Sequence, residues 1–228
     1  MEANNILFRC SALGNLMTEP RSKTETISET TKTYLLDVYA YLKYGRKKDI
    51  VNKYVQKGLA VEEDSITLYS RITGDLFIKN EEHFRNEYIM GTPDLVTEPI
   101  IDIKSSWDLF TFLKSKNSPL DKGYYWQLQG YMWLTGIKSA KLVYCLVNTP
   151  DQIINDQKRK FMWNANQIDE SQLSEQAFAE IERNGIYDDI SMSERIHTID
   201  IAYCQEDIER LKQRIEDCRN YMLNNFKW

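Results

Sequence analysis

Proline and glycine are scarce, five and nine among 228 residues, and no stretch rich in either divides the chain. A collagen-like or linker-dominated architecture is excluded, and the length suits one domain with a buried core. Cysteine is sparser still. Cys10, Cys145, Cys204 and Cys218 lie far apart without a CxxC pair, so a zinc ribbon or redox dithiol is not expected and free thiols are. Long apolar runs are missing as well. Tyr34 to Tyr44 is interrupted by Asp37 and Lys43, far short of the roughly 20 apolar residues of a membrane span. The opening MEANNILFRC has an acidic second residue and no basic stretch leading into an apolar one, so a cytoplasmic protein is expected. Basic side chains are outnumbered, 29 against 34, for a net charge of −5. That balance argues against a surface coated for phosphate, yet it does not exclude a local basic groove, and a carboxylate cluster would itself lower the total.

What is present is a change of period along the chain. Residues 27–45 carry apolar groups at 35, 38, 39 and 42, a helical spacing that Gly45 ends, and a second helix is expected over 49–73. From 75 to 105 the texture shifts to DLFIKN, NEYIMGTPDLV and PIIDIKSS, read as antiparallel strands. Helices follow at 106–115 and 122–136, with Gly136 as a C-cap, then an apolar strand at 139–148. Polar helices at 151–163 and 170–184 form an excursion spanning about 149–190. A strand at 194–203 and an amphipathic helix at 205–226 close the chain, the helix placing Ile208, Leu211, Ile215, Cys218, Tyr221 and Met222 on one face. The expected fold is one mixed α/β domain over 1–228, a central sheet flanked by helices.

The stretch GTPDLVTEPIIDIKSS carries the chemistry. Side chains alternate along a strand, so Asp102 and Lys104 share a face while Ile103 points into the core, and a turn through Thr97, Glu98 and Pro99 would bring Asp94 beside Asp102. Two converging carboxylates would leave one protonated unless a divalent cation lay between them. Asp94 and Asp102, with the Ile103 backbone carbonyl, offer the oxygen donors that suit Mg²⁺ or Mn²⁺. Lys104 would orient or deprotonate the attacking water, the chemistry of phosphodiester hydrolysis. Taken alone, this short pattern also describes an exposed DxK and a Pro-Asp turn. Upstream, Glu62 stands four residues after Gly58 as a third carboxylate; Glu63 and Asp64 suit a solvated turn better. Downstream, Gln127 and Tyr131 lie at i, i+4 in an aromatic, apolar helix, where they need partners if buried or touch solvent if not.

With these motifs in order, the sequence resembles the PD-(D/E)xK nuclease superfamily, in its phage-type branch of lambda exonuclease and YqaJ viral recombinase. RCSALGNLMTEPRSK, KGLAVEED, GTPDLV, IIDIKSS and YWQLQGYMWLTG carry the likeness over about residues 6–148, and Gln127 with Tyr131 satisfies the QxxxY pattern of RecB-like nucleases. The family often has Glu where Asp102 stands, and nothing in 149–190 matches it. The resemblance implies a restriction-endonuclease-like core and a Mg²⁺- or Mn²⁺-dependent deoxyribonuclease. It would act as an exonuclease on duplex ends in recombination or repair, leaving 5′-phosphates. Glu62, Asp94 and Asp102 become metal ligands, Lys104 the catalytic lysine, Gln127 an active-site contact, and Arg9 and Ser11 phosphate contacts. Tyr131 takes a substrate-positioning role, and Arg21 and Lys23 are expected to extend a positive groove. DNA is the implied partner, with a single-strand annealing protein and further copies of the chain as candidates, in a bacterial or phage-infected cell. A structure-specific or restriction-type endonuclease would share the site; a non-catalytic DNA-binding relative would be expected to lose part of it. His83 and His197 are isolated; Lys158-Arg159-Lys160, followed by Phe161 and Trp163, offers charge and stacking for single-stranded DNA but reads better as a solvated helix face, and Arg46-Lys47-Lys48 is similarly ambiguous.

Overall fold

The structure is a computed structural model that describes residues 5–48, 53–164 and 172–228. The expected parts 49–52 and 170–171 of two helices lie outside these residues. Strand β1 (Phe8–Arg9) and the short helix α1 (Leu13–Leu16) lead to α2 (Glu29–Tyr44), where sequence signals and structure coincide. Ser28 caps α2 by accepting the Thr31 N–H at 3.0 Å, and Gly45 closes it at φ 65°, a conformation that favours glycine.

The helix expected through residue 73 is instead two, α3 (Lys53–Ala60) and α4 (Glu62–Thr73). Fully buried Val61 sits between them at φ −116°, ψ 14°, drawn into the core, so Glu62 begins a helix instead of continuing one. DLFIKN does not form a strand. Next come β2 (Phe84–Arg85), β3 (Ile89–Gly91) and β4 (Ile100–Ser105). Asp94, expected in a strand, lies in the loop after β3; Pro93 lacks the N–H that would extend the ladder, and pairing resumes as a single Leu95–Ile101 bridge. Helix α5 (Leu109–Asn117) starts later than expected because Asp108 and Thr111 form a reciprocal cap.

Helix α6 (Lys122–Thr135) and strand β5 (Ser139–Cys145) follow. Helices α7 (Asp151–Asn164) and α8 (Gln172–Gly185) form the excursion, shut at its base where the Thr149 N–H donates to the Gly185 carbonyl at 2.7 Å. Strand β6 (Ile196–Ala202) and helix α9 (Gln205–Asn225) complete the mixed α/β fold. On α9, Ile208, Leu211, Ile215, Cys218 and Met222 are buried as their spacing requires. The expected sheet consists of two three-stranded ladders. One runs β1-β3-β2, with β1 parallel to β3; the other runs β4-β5-β6, with β4 parallel to β5 and β6 antiparallel. Opposite faces of β4 serve different cores. Ile100 joins Leu142, Leu128 and Met132, whereas Ile101 and Ile103 join Val61, Ile66 and Val143. All four cysteines are free, and no helix among the described residues is long and apolar enough to cross a membrane.

Candidate active site

Strand β4 is an edge strand, so its outward N–H and C=O groups need partners from outside its own ladder. Ile101 exchanges both backbone bonds with Leu95 at 3.1 Å, and two residues on, the Ile103 N–H donates to Asp94 Oδ2 at 2.7 Å. Asp94 thus takes the place of a missing strand. The same alternation turns the Ile103 carbonyl to that edge. Burial, then the neighbouring charge of Asp102, pushes the Asp94 carboxyl up to about 7.

Asp102 has no exposed surface and stands on the β4 face that packs toward α6. A buried carboxylate in such a place needs donors. Gln127 Nε2 supplies one to Oδ1 at 3.0 Å and gives its second proton to the Tyr131 hydroxyl oxygen, also at 3.0 Å, so the i, i+4 pair works as one unit. Asp102 Oδ2 lies 2.6 Å from Lys104 Nζ. The geometry is that of an ion pair without a hydrogen bond, and no other donor among the described residues reaches this buried oxygen. Burial opposes the Lys104 charge, but the carboxylates of Asp102 and Asp94 outweigh it, and its pKa is raised. The ammonium lies 4.9 Å from the Tyr124 ring centroid.

Glu62 takes a different partner. It lies in the first turn of α4, where the helix dipole favours an anion, and its Oε2 contacts Lys79 Nζ at 2.5 Å. Among the described residues no three acidic, histidine or cysteine side chains are gathered closely enough to hold a metal ion. The expected trio of Glu62, Asp94 and Asp102 is therefore a close pair plus a carboxylate joined to a lysine. Glu63 and Asp64 are exposed, in keeping with the solvated turn.

Tyr131, expected to touch substrate, is 5% exposed and supports Gln127 from within the core. A Cβ on Gly91 would lie 2.7 Å from Tyr131 Cε1 and 3.0 Å from Cys10 Sγ, so glycine lets the chain pass close to α6 on its way to Asp94. Arg9, Ser11, Arg21 and Lys23 are exposed; among the described residues none is joined to the carboxylates by a hydrogen bond or ion pair. His83 bonds Thr92 at 2.9 Å and His197 stacks on Tyr144, outside the carboxylate group. Lys158 and Arg159 pair with Glu182 and Asp156, as a solvated helix face would.

Two lysines escaped the sequence reading. Lys79 lies within DLFIKN, whose strand-like pattern gave no hint of a partner. Lys57 is 1% exposed and donates to the Trp107 carbonyl at 2.7 Å and Thr149 Oγ1 at 2.9 Å, which ties α3 to the loops after β4 and β5. Burial pulls its pKa down to about 8. Its position beside Gly58 carries no signal, because a lysine stem can be buried anywhere its head finds acceptors.

A buried carboxylate oxygen without a hydrogen bond, a second carboxyl raised in pKa by its neighbour, and a backbone carbonyl on the same strand edge form an oxygen-only donor set. These residues fit a hard divalent cation such as Mg²⁺ or Mn²⁺.

The solved structures similar to this chain include that of a phage related exonuclease from Haemophilus somnus 129PT. It shares 28% identity at a TM-score of 0.75, over 95% of this chain and 93% of that one. An alkaline exonuclease from Laribacter hongkongensis, LHK-Exo, aligns at a TM-score of 0.63 and 13% identity over 98% and 90% of the two chains. LHK-Exo in complex with dAMP gives 0.63 and 14% over 98% and 91%; at such identities the likeness is one of fold. No family model matches the sequence, and no curated protein does.

Proposed function

We propose that the chain is a member of the phage-type lambda exonuclease and YqaJ branch of the PD-(D/E)xK nucleases, a reading supported by its likeness to the phage related exonuclease, and that it is a divalent-cation-dependent deoxyribonuclease that degrades duplex DNA from its ends in recombination or repair. The observation that carries the metal dependence is the convergence of two buried carboxyls, Asp102 and Asp94, with Asp102 Oδ2 met only by the Lys104 ammonium among the described residues. Asp94, Asp102 and the Ile103 carbonyl would hold the cation, with Glu62 as a further ligand. Bound there, the ion would supply Lewis-acid polarisation of the phosphodiester and counter-charge for its transition state.

The protein's own groups do the rest. A raised pKa keeps Lys104 an ammonium at neutral pH, so its task is to orient water and balance charge on the phosphoryl oxygens, and proton abstraction is not assigned to it. Gln127 fixes the Asp102 carboxylate, and Tyr131 fixes Gln127. Attack in line with the 3′ oxygen would leave a 5′-phosphate and a 3′-hydroxyl, with no covalent protein intermediate. DNA as substrate is supported by the dAMP that LHK-Exo binds, a deoxynucleoside monophosphate.

The test is to incubate the protein and Mg²⁺ with end-labelled linear duplex beside a covalently closed circle, with a chelator control. Mg²⁺-dependent loss of the linear DNA alone is expected. Cutting of the circle would make the protein an endonuclease, and degradation undiminished by chelator would reject the cation.

A further inference from the structure

Lys79 is held where it is by anchors on both sides. Before it, the Phe77 N–H donates to Ser70 Oγ at 3.3 Å and the Phe77 ring stacks on Tyr69 at 5.1 Å, which fixes the segment to α4. After it, Asn80 donates its N–H to the Asp94 carbonyl at 2.7 Å and its side-chain amide to the Pro93 carbonyl at 3.0 Å. The lysine is therefore suspended between the helix that bears Glu62 and the backbone of Asp94 itself. Its Nζ meets Glu62 Oε2 at 2.5 Å, with the lysine side chain 43% and the glutamate side chain 24% exposed. The site thus contains three carboxylates and two ammonium groups. Lys104 pairs with Asp102 and Lys79 with Glu62, while Asp94 contacts no ammonium within ion-pair distance among the described residues.

A carboxylate that contacts an ammonium at 2.5 Å has less charge to offer a second cation, and two cations brought to one carboxylate repel each other. We infer that Lys79 is a positioning residue that competes with the divalent cation for Glu62 and so sets the affinity of the site for that cation. This inference rests on the metal-dependent reading above. The anchored backbone on either side keeps the ammonium beside Glu62, so the competition is built into the loop and does not depend on a chance surface contact. Since the pair is partly exposed, its strength corresponds to a factor of about five, not a thousand.

Titration of Mn²⁺ into the intact protein by calorimetry, without DNA, reads this directly. Lys79→Met should bind Mn²⁺ about fivefold more tightly than wild type. Lys79→Arg, which keeps the charge, should stay within about twofold of it, and the gap between wild type and Lys79→Met should narrow as salt screens the pair. Unchanged or weaker Mn²⁺ binding by Lys79→Met would overturn the competition, as would tighter binding by Lys79→Arg to the same extent. A parallel Asp102→Asn titration separates this failure from that of the parent reading. If wild type binds Mn²⁺ and Asp102→Asn does not, a flat result for Lys79→Met removes only the role of Lys79. If wild type binds no Mn²⁺, both fall.

Discussion

Replacing Asp94 by asparagine should abolish cleavage and, without divalent cations, make the protein more stable above neutral pH. The folded-state carboxyl is raised from 3.8 to about 7, chiefly by burial and then by the charge of Asp102. A group raised in this way contributes stability that is fully present below its unfolded pKa and is lost as pH rises through its folded pKa. The loss therefore begins near pH 4 and is complete just above pH 7. A difference of this size corresponds to about 4 kcal/mol once the group is ionised in both states. Asparagine keeps an oxygen that can accept the Ile103 N–H now bonded at 2.7 Å, and it does not ionise.

Thermal unfolding in chelator gives the measurement. At about 2–4 °C per kcal/mol for a chain of this size, Asp94→Asn should melt about 10 °C above wild type at pH 8 and close to it at pH 4. Mg²⁺ should then raise the wild-type melting temperature and leave that of the variant nearly unmoved, because only a cation-binding native state is stabilised by mass action. A melting difference that is the same at both pH values would refute the reasoning, since the carboxyl would then carry no strain from burial. A variant less stable than wild type at pH 8 would refute it equally.

Lys104→Met should lower the cleavage rate at least about 100-fold while DNA remains bound, and loss of the charge beside Asp102 Oδ2 should destabilise the fold by about 3 kcal/mol. A rate within tenfold of wild type would remove the lysine from the chemistry. Gln127→Leu takes the donor from both Asp102 Oδ1 and the Tyr131 oxygen, so a stability loss of about 1–3 kcal/mol is expected together with reduced cleavage. Normal activity in a folded Gln127→Leu protein would show that the Asp102 carboxylate needs no such support. Lys57 ionises near 8 in the fold against an ordinary 10.5, which disfavours the folded state below about pH 8 and relieves it as pH rises toward 10. The stability difference between wild type and Lys57→Met should therefore shift in favour of wild type by about 3 kcal/mol across that window, and urea titrations showing no shift would mean the ammonium is effectively solvated.

How much of this was legible depended on whether a residue's role left a period in the sequence. The alternation Ile101-Asp102-Ile103-Lys104 fixes faces without any structure, and the Ile side chains do enter one core while Asp102 turns toward α6. The spacing of Gln127 and Tyr131 likewise allowed only a shared helix face. Helix ends at Gly45 and Gly136 followed from the left-handed backbone glycine tolerates. The break at Val61 left no mark because an apolar residue suits a continuous helix as well as a kinked one. Asp94 does come beside Asp102 by the fold-back through Thr97, Glu98 and Pro99, but with a single antiparallel Leu95–Ile101 bridge and a side-chain bond to the Ile103 N–H where a longer ladder was expected. The partner of Glu62 was not readable, since Lys79 comes from a loop whose course is set by Asn80 and Asp94.

Position in the fold explains why the acid can be kept there. Asp102 stands opposite Leu142 in the parallel β4–β5 register, between Lys104 on one side and the buried Ile100 on the other, where an apolar side chain would pack with no need of donors. The carboxylate is held by one amide bond and one ion-pair contact, and its second oxygen has no hydrogen bond among the described residues. A group so placed weakens the core it sits in, and the strand edge beside it is completed by another acid instead of a neighbouring strand. Local choices that oppose packing at two adjacent points, one of them paired with a lysine, are the kind of conflict expected where chemistry and not stability sets the residues. That conflict between burial and charge was already present in the sequence as an acid breaking an apolar run, and it separates this strand from β5, whose run LVYC has no such interruption.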